Sequence, residues 1–181
     1  MRIRTTFISL AMLALACAEG AASSGGAPAD FEPTGGIRVA SGNGSRFNAT
    51  RVVGPKVQLN QRSDGTWGGN IYGNGGFPTP IDATFQDGQF VGSNIRLTIT
   101  REGGQTRIFG SIQDRIVRFE VGPTEIRVFT SSSTVTGRSE TYVKLAGPGE
   151  YGGPQSLTLE GEAQQLPPTP AFALAMVGAF I

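Results

Sequence analysis

The chain has 181 residues, with 15 basic and 14 acidic side chains, 27 glycines, one cysteine and no histidine. The lack of an imidazole excludes Ser-His-Asp and Cys-His catalysis, HExxH metalloproteases and imidazole zinc sites. After Cys17 no thiol remains for metal binding, nucleophilic chemistry or a disulfide, and the near-neutral charge with no basic run argues against nucleic-acid recognition.

Residues 1–17 open with Arg2 and Arg4, continue through a short apolar segment and end in Leu13-Ala14-Leu15-Ala16-Cys17. The segment is too short to span a membrane and reads as a secretory signal. It resembles the bacterial lipoprotein signal-peptide class, in which the cysteine becomes the lipidated first residue. The resemblance covers these 17 residues alone and departs from the usual pattern at one place. Ala14 stands where the class has leucine, and Leu13 lies one position earlier. It implies a lipid anchor at Cys17 and a place in the bacterial cell envelope, at the outer membrane or the surface. Cleavage after Ala14-Leu15-Ala16 or Ala16-Cys17-Ala18 would instead give a soluble secreted protein.

Residues 18–36 contain Ser23-Ser24-Gly25-Gly26, Pro28 and Pro33 with little to bury, which predicts a flexible linker. Removing the leader takes away Arg2 and Arg4, so 15 basic residues become 13 against 14 acidic ones. Residues 37–181 then form a single β domain, long enough for one proper core.

Alternating apolar residues predict the strands. They occur at Val57-Leu59, Ile81-Ala83-Phe85, Ile95-Leu97-Ile99, Val117-Phe119-Val121, Ile126-Val128, Val143-Leu145 and Leu157-Leu159. Ser63-Asp64-Gly65, Asp87-Gly88, Glu102-Gly103-Gly104-Gln105, Gly122-Pro123-Thr124 and Gly147-Pro148-Gly149 are turn signals between them. Strands this close, with no helical period between them, predict an antiparallel meander. The stretch Asp64–Ile71 is faintly repeated at Asp87–Ile95, and Phe109-Gly110-Ser111-Ile112 echoes its second half, a repeat assigned to hairpins in which glycine makes room or forms a bulge.

Tight turns allow a register to be written. Keeping apolar side chains on one face pairs Ile99 with Ile108, Leu97 with Gly110 and Ile95 with Ile112. It then pairs Ile108 with Phe119, Gly110 with Val117, Val121 with Ile126 and Phe119 with Val128. Gly110 would leave room beneath Leu97 and Val117. The opposite face then carries Thr98, Phe109, Arg118 and Phe129 in one row and Thr100, Arg107, Glu120 and Arg127 in the next. Arg118 is expected between the two phenylalanine rings, and Glu120 beside Arg107 and Arg127. Such rows serve as cross-strand stabilisation or as a contact surface.

A second candidate is the glycine-rich stretch from Trp67 to Phe77, where Trp67, Asn70 and Tyr72 are arranged as sugars and peptides are often held; Trp67 at strand spacing also suits a core residue. Catalysis could rest only on carboxylates. Asp82, Asp87, Asp114 and Glu120 are the set from which a glycosidase-like pair would be drawn, although Asp87 and Asp114 fall in turns and serve there as turn formers. No catalytic residue is assigned. No metal loop or cofactor motif can be written from these residues.

At the end, Thr169 is a good N-cap, Pro170 suits the first helical position and 171–181 is wholly apolar. This predicts a short helix that buries itself against the sheet, plugs a barrel mouth, or touches a membrane or partner. The rival is a last strand, as in outer-membrane barrels.

The expected fold is all-β, an antiparallel up-and-down meander of about eight to ten strands forming a barrel or strongly curled sheet, with a short C-terminal helix. The expected function is a non-catalytic envelope protein that binds a small ligand or a protein. A carboxylate-based glycoside hydrolase and a secreted inhibitor presenting a loop are the alternatives.

Overall fold

A computed structural model describes residues 31–40, 42–73, 75–132, 138–147, 150–152 and 157–181. The leader, Cys17 and most of the expected linker lie outside the described residues. The described residues form β1 (Gly35–Val39), β2 (Gly44–Asn48), β3 (Arg51–Gly54), β4 (Val57–Gln61), β5 (Trp67–Tyr72), β6 (Pro78–Gln86) and β7 (Gln89–Ser93). Next come β8 (Ile95–Glu102), β9 (Gln105–Ile112), β10 (Arg115–Val121), β11 (Glu125–Ser132), β12 (Arg138–Gly147), β13 (Glu150–Gly152) and β14 (Leu157–Gly161). A short 3-10 turn, Glu162–Gln165, leads to the helix α1 (Pro170–Phe180).

The all-β expectation holds, and the strands are more numerous than the sequence suggested. Each pairs antiparallel with the next, and β14 pairs back onto β1, Ile37 opposite Leu159. The result is a strongly curled meander. The thinnest part of the ladder is β13, three residues long, whose pairing with β12 carries a shift of register at Leu145 and Gly147. The first strand begins at Gly35, two residues inside the expected linker, and Phe31 before it is already buried with the Arg51 guanidinium over its ring.

From β8 to β11 every expected pair is present: Ile99 with Ile108, Leu97 with Gly110, Ile95 with Ile112, Ile108 with Phe119, Gly110 with Val117, Val121 with Ile126 and Phe119 with Val128. These inward side chains are buried, and they alternate with exposed or half-buried neighbours. The reason for glycine at position 110 differs from the expectation. Its φ is 148°, and a Cβ there would collide with the Arg96 carbonyl and lie 3.0 Å from the Leu97 Cα. Glycine thus lets two backbones approach and the strand coil, while the space under the neighbouring side chains is a lesser matter.

The interior of the curl is occupied by α1. Thr169 caps it, its hydroxyl accepting from the Phe172 amide at 3.4 Å, and Pro170 opens the first turn. Ala171 through Ala179 are all buried. A helix that is apolar all round must be covered all round. On one side α1 packs against β1 to β4, where Phe172 meets Phe47 edge-on at 6.1 Å. At its far end Phe180 lies 5.9 Å from Phe119 of β10. Each fully buried side chain of this size contributes about 1.5–3 kcal/mol by leaving water. The alternative of a final strand is overturned by this helix.

Candidate functional site

Because successive side chains in a strand point to opposite faces, the burial of one set fixes the exposure of the other. The register of β8 to β11 therefore builds an outer surface in rows. Thr98, Phe109, Arg118 and Phe129 are opposite one another across four strands, and Thr100, Arg107, Glu120 and Arg127 form the next row. Both rows stand as expected from the sequence. Phe109 is exposed, Phe129 is half-buried, and neither is covered by α1, which packs on the other face of the sheet.

The contacts within the rows differ in part from the expectation. The Arg118 guanidinium lies over the Phe129 ring, 5.8 Å from its centre, and approaches Glu120 through Nε at 3.8 Å. It therefore stacks on one ring and leaves Phe109 uncovered. Arg107 donates to Glu102 at 2.9 Å, and Arg127 pairs with Glu125. The sequence placed both arginines beside Glu120. Each instead reaches a carboxylate farther along the sheet, because a long guanidinium stem spans more than one row.

A further row lies beside these. Thr84, Val91, Arg96, Ser111 and Ile116 are opposite one another across β6 to β10. Four large apolar side chains are conspicuously exposed among the described residues: Phe77 at 80%, Ile116 at 54%, Val91 at 47% and Phe109 at 45%. Three of these four lie in two adjacent rows of one face. Sequence reading missed Val91, Arg96 and Ile116. The available signal was Ile116, an apolar residue on the outward parity of β10, directly before the buried Val117.

The second candidate stretch divides. Trp67 is 1% exposed and meets Phe90 edge-on at 6.2 Å, so its ring belongs to the core and is withdrawn from any ligand. Asn70 and Tyr72 point to the outside, half-exposed, opposite Pro80 and Pro78. They lack the aromatic platform that the sequence offered them.

The carboxylates are dispersed. Asp82 on β6 accepts from Arg62 at 2.8 Å, Asp87 and Asp114 occupy the β6–β7 and β9–β10 turns, and Glu120 lies on β10. Nothing brings two of them into a common cleft. No group of three or more potential metal-ligating side chains occurs among the described residues. A hollow of about 370 Å³ is bordered by Arg38, Arg46, Val53 and Glu160, with Arg38 paired to Glu160.

The chain matches no protein-family model, no curated protein and no solved structure.

Proposed function

We propose that this is an exported, lipid-anchored, non-catalytic protein of the bacterial cell envelope whose outer sheet face holds a protein partner. The observation that carries the contact is the gathering of Val91, Phe109 and Ile116 on one face. An exposed apolar cluster with a polar surround is the ordinary mark of an interaction site. Arginine and aromatic residues are also the types enriched at protein interfaces. A partner is favoured over a small ligand because α1 fills the space inside the curl where such a ligand would be enclosed.

Two experiments test it. Intact mass of the protein recovered from native membranes, beside Cys17→Ser, should give an acylated first residue at Cys17 that the variant loses together with membrane fractionation. A photoreactive residue at position 116 should cross-link in cells, while one at Gln58, on the outer face of β4, should not. An unmodified N-terminus in the soluble fraction would remove the anchor. Equal yields at the two positions, or none at either, would remove the contact face.

A secreted inhibitor presenting a loop is the second reading, favoured by Phe77, the most exposed large apolar side chain among the described residues, in the glycine-rich connection before β6. It predicts that Phe77→Ser abolishes inhibition of a target while Ile116→Ser does not.

A further inference from the structure

We infer that the partner presents an acidic surface, with carboxylates set among apolar side chains, to the Val91–Arg96–Ile116 and Phe109–Arg118–Phe129 rows. This rests on the contact-face reading above and specifies its chemistry.

The argument begins with where the carboxylates are. Three of the acids near this face lie toward its borders and already have cations: Glu102 holds Arg107, Glu125 holds Arg127 and Asp82 holds Arg62. Glu120 lies one row away and approaches Arg118 only at 3.8 Å. Among the described residues the two rows that carry the exposed apolar side chains contain Arg96 and Arg118, and the register adds a single carboxylate to them, Glu140 of β12 at the end of the second row, opposite Phe129. Arg96 makes no ion pair or hydrogen bond among the described residues. The Arg118 guanidinium lies over Phe129, with its side chain 59% exposed.

A guanidinium fixed on an aromatic ring is preorganised for a planar, two-oxygen acceptor. Less side-chain freedom is lost on pairing than for a free lysine. Exclusion of water by Phe109, Ile116 and Val91 would strengthen that pairing, since exposed ion pairs are worth little and desolvated, hydrogen-bonded ones considerably more.

One other occupant is disfavoured. A second copy meeting through the same face would oppose arginine to arginine across a two-fold axis, which disfavours association. A lipid surface is left to the test below.

The test uses the Cys17→Ser protein, so that no lipid intervenes, and three short synthetic peptides that alternate Phe with Glu, Gln or Lys. Binding is followed by NMR shifts and fluorescence. The Glu peptide should bind about tenfold or more tightly than the Gln peptide at low salt, and added salt should erase most of the difference. Arg96→Gln with Arg118→Gln should abolish the preference, Arg96→Lys with Arg118→Lys should retain part of it, and melting curves should show every variant folded.

Equal affinity for the Glu and Gln peptides, lost in Ile116→Ser, would overturn the acidic partner and leave the contact face standing. Shifts mapping elsewhere, or no binding by any peptide, would overturn both. Sedimentation with phosphatidylglycerol vesicles that the double glutamine variant abolishes would overturn the acidic protein in favour of a lipid surface.

Discussion

Gly178 of α1 lies directly against Val57 of β4: a Cβ at position 178 would overlap the Val57 Cγ1 and come within 2.8 Å of the Ser45 hydroxyl. Both strand residues are buried, and the helix touches the sheet there through its backbone. In an open helix, replacing glycine by alanine gains up to about 1 kcal/mol. Here Gly178→Ala should destabilise, and Gly178→Val more so, by about 1–3 kcal/mol, the ordinary penalty of overfilling a packed core. Denaturant midpoints will show this, and a rise in stability with alanine would mean that α1 is not seated as described.

Arg62 lies across Gly68 to reach Asp82. The Gly68 Cβ position is taken by the guanidinium, and Arg62 donates to Asp82 at 2.8 Å. The pair is about half exposed on both sides, so Asp82→Ala should cost no more than about 1 kcal/mol. Gly68→Ala should cost no more than Asp82→Ala, because the atoms in its way are the far end of a half-exposed, flexible arginine that can move aside. A double-mutant cycle should find the two changes strongly non-additive.

Asp64 ends the loop before β5 by accepting from the Thr66 hydroxyl at 2.6 Å and the Thr66 amide at 2.9 Å. These bonds hold its carboxyl below its usual value of 3.8, the hydroxyl bond being the larger cause. The folded state therefore favours the ionised form. The stabilisation is complete above about pH 3.8 and is lost as pH falls through the lower folded value. Melting temperatures from pH 6 to pH 2 should drop less steeply in Asp64→Ala than in the parent protein, and identical slopes would show that the bonds are not formed.

Thr106 on β9 donates its hydroxyl to the Leu166 carbonyl, with Thr106 fully buried and Leu166 in a left-handed conformation at φ 51°. This bond anchors the connection that carries the chain from β14 into the helix. Thr106→Val keeps the shape and removes the donor, leaving a buried carbonyl unpaired at a cost of about 1–3 kcal/mol. Thr106→Ser should recover most of that in equilibrium unfolding.

What was readable in advance depended on local constraints. Tight turns at Asp87-Gly88, Gly103-Gly104 and Gln113-Asp114 leave little freedom of register. Ile95, Leu97, Ile108, Val117 and Phe119 could then share a face in only one way, and the Phe109–Arg118–Phe129 row followed. The first strands were missed because Ile37, Val39, Phe47 and Val52 lie in short segments without sustained alternation. The arginine partners were misassigned because register places backbones, and a guanidinium on a long stem chooses among several carboxylates. The role of Gly110 was misjudged because only the coiled backbone reveals that the Arg96 carbonyl approaches it. The placement of α1 was left open because a helix apolar on every side carries no directional signal of what covers it.

The element that completes the core follows the fourteen described strands along the chain. As the polypeptide is drawn out from its N-terminal end, Phe47, Val52 and Val57 have no cover until Phe172 and Gly178 arrive, more than a hundred residues later. The contacts are of long sequence separation, which slows folding. A chain built in this order is kept from committing to its final shape while it is still being made.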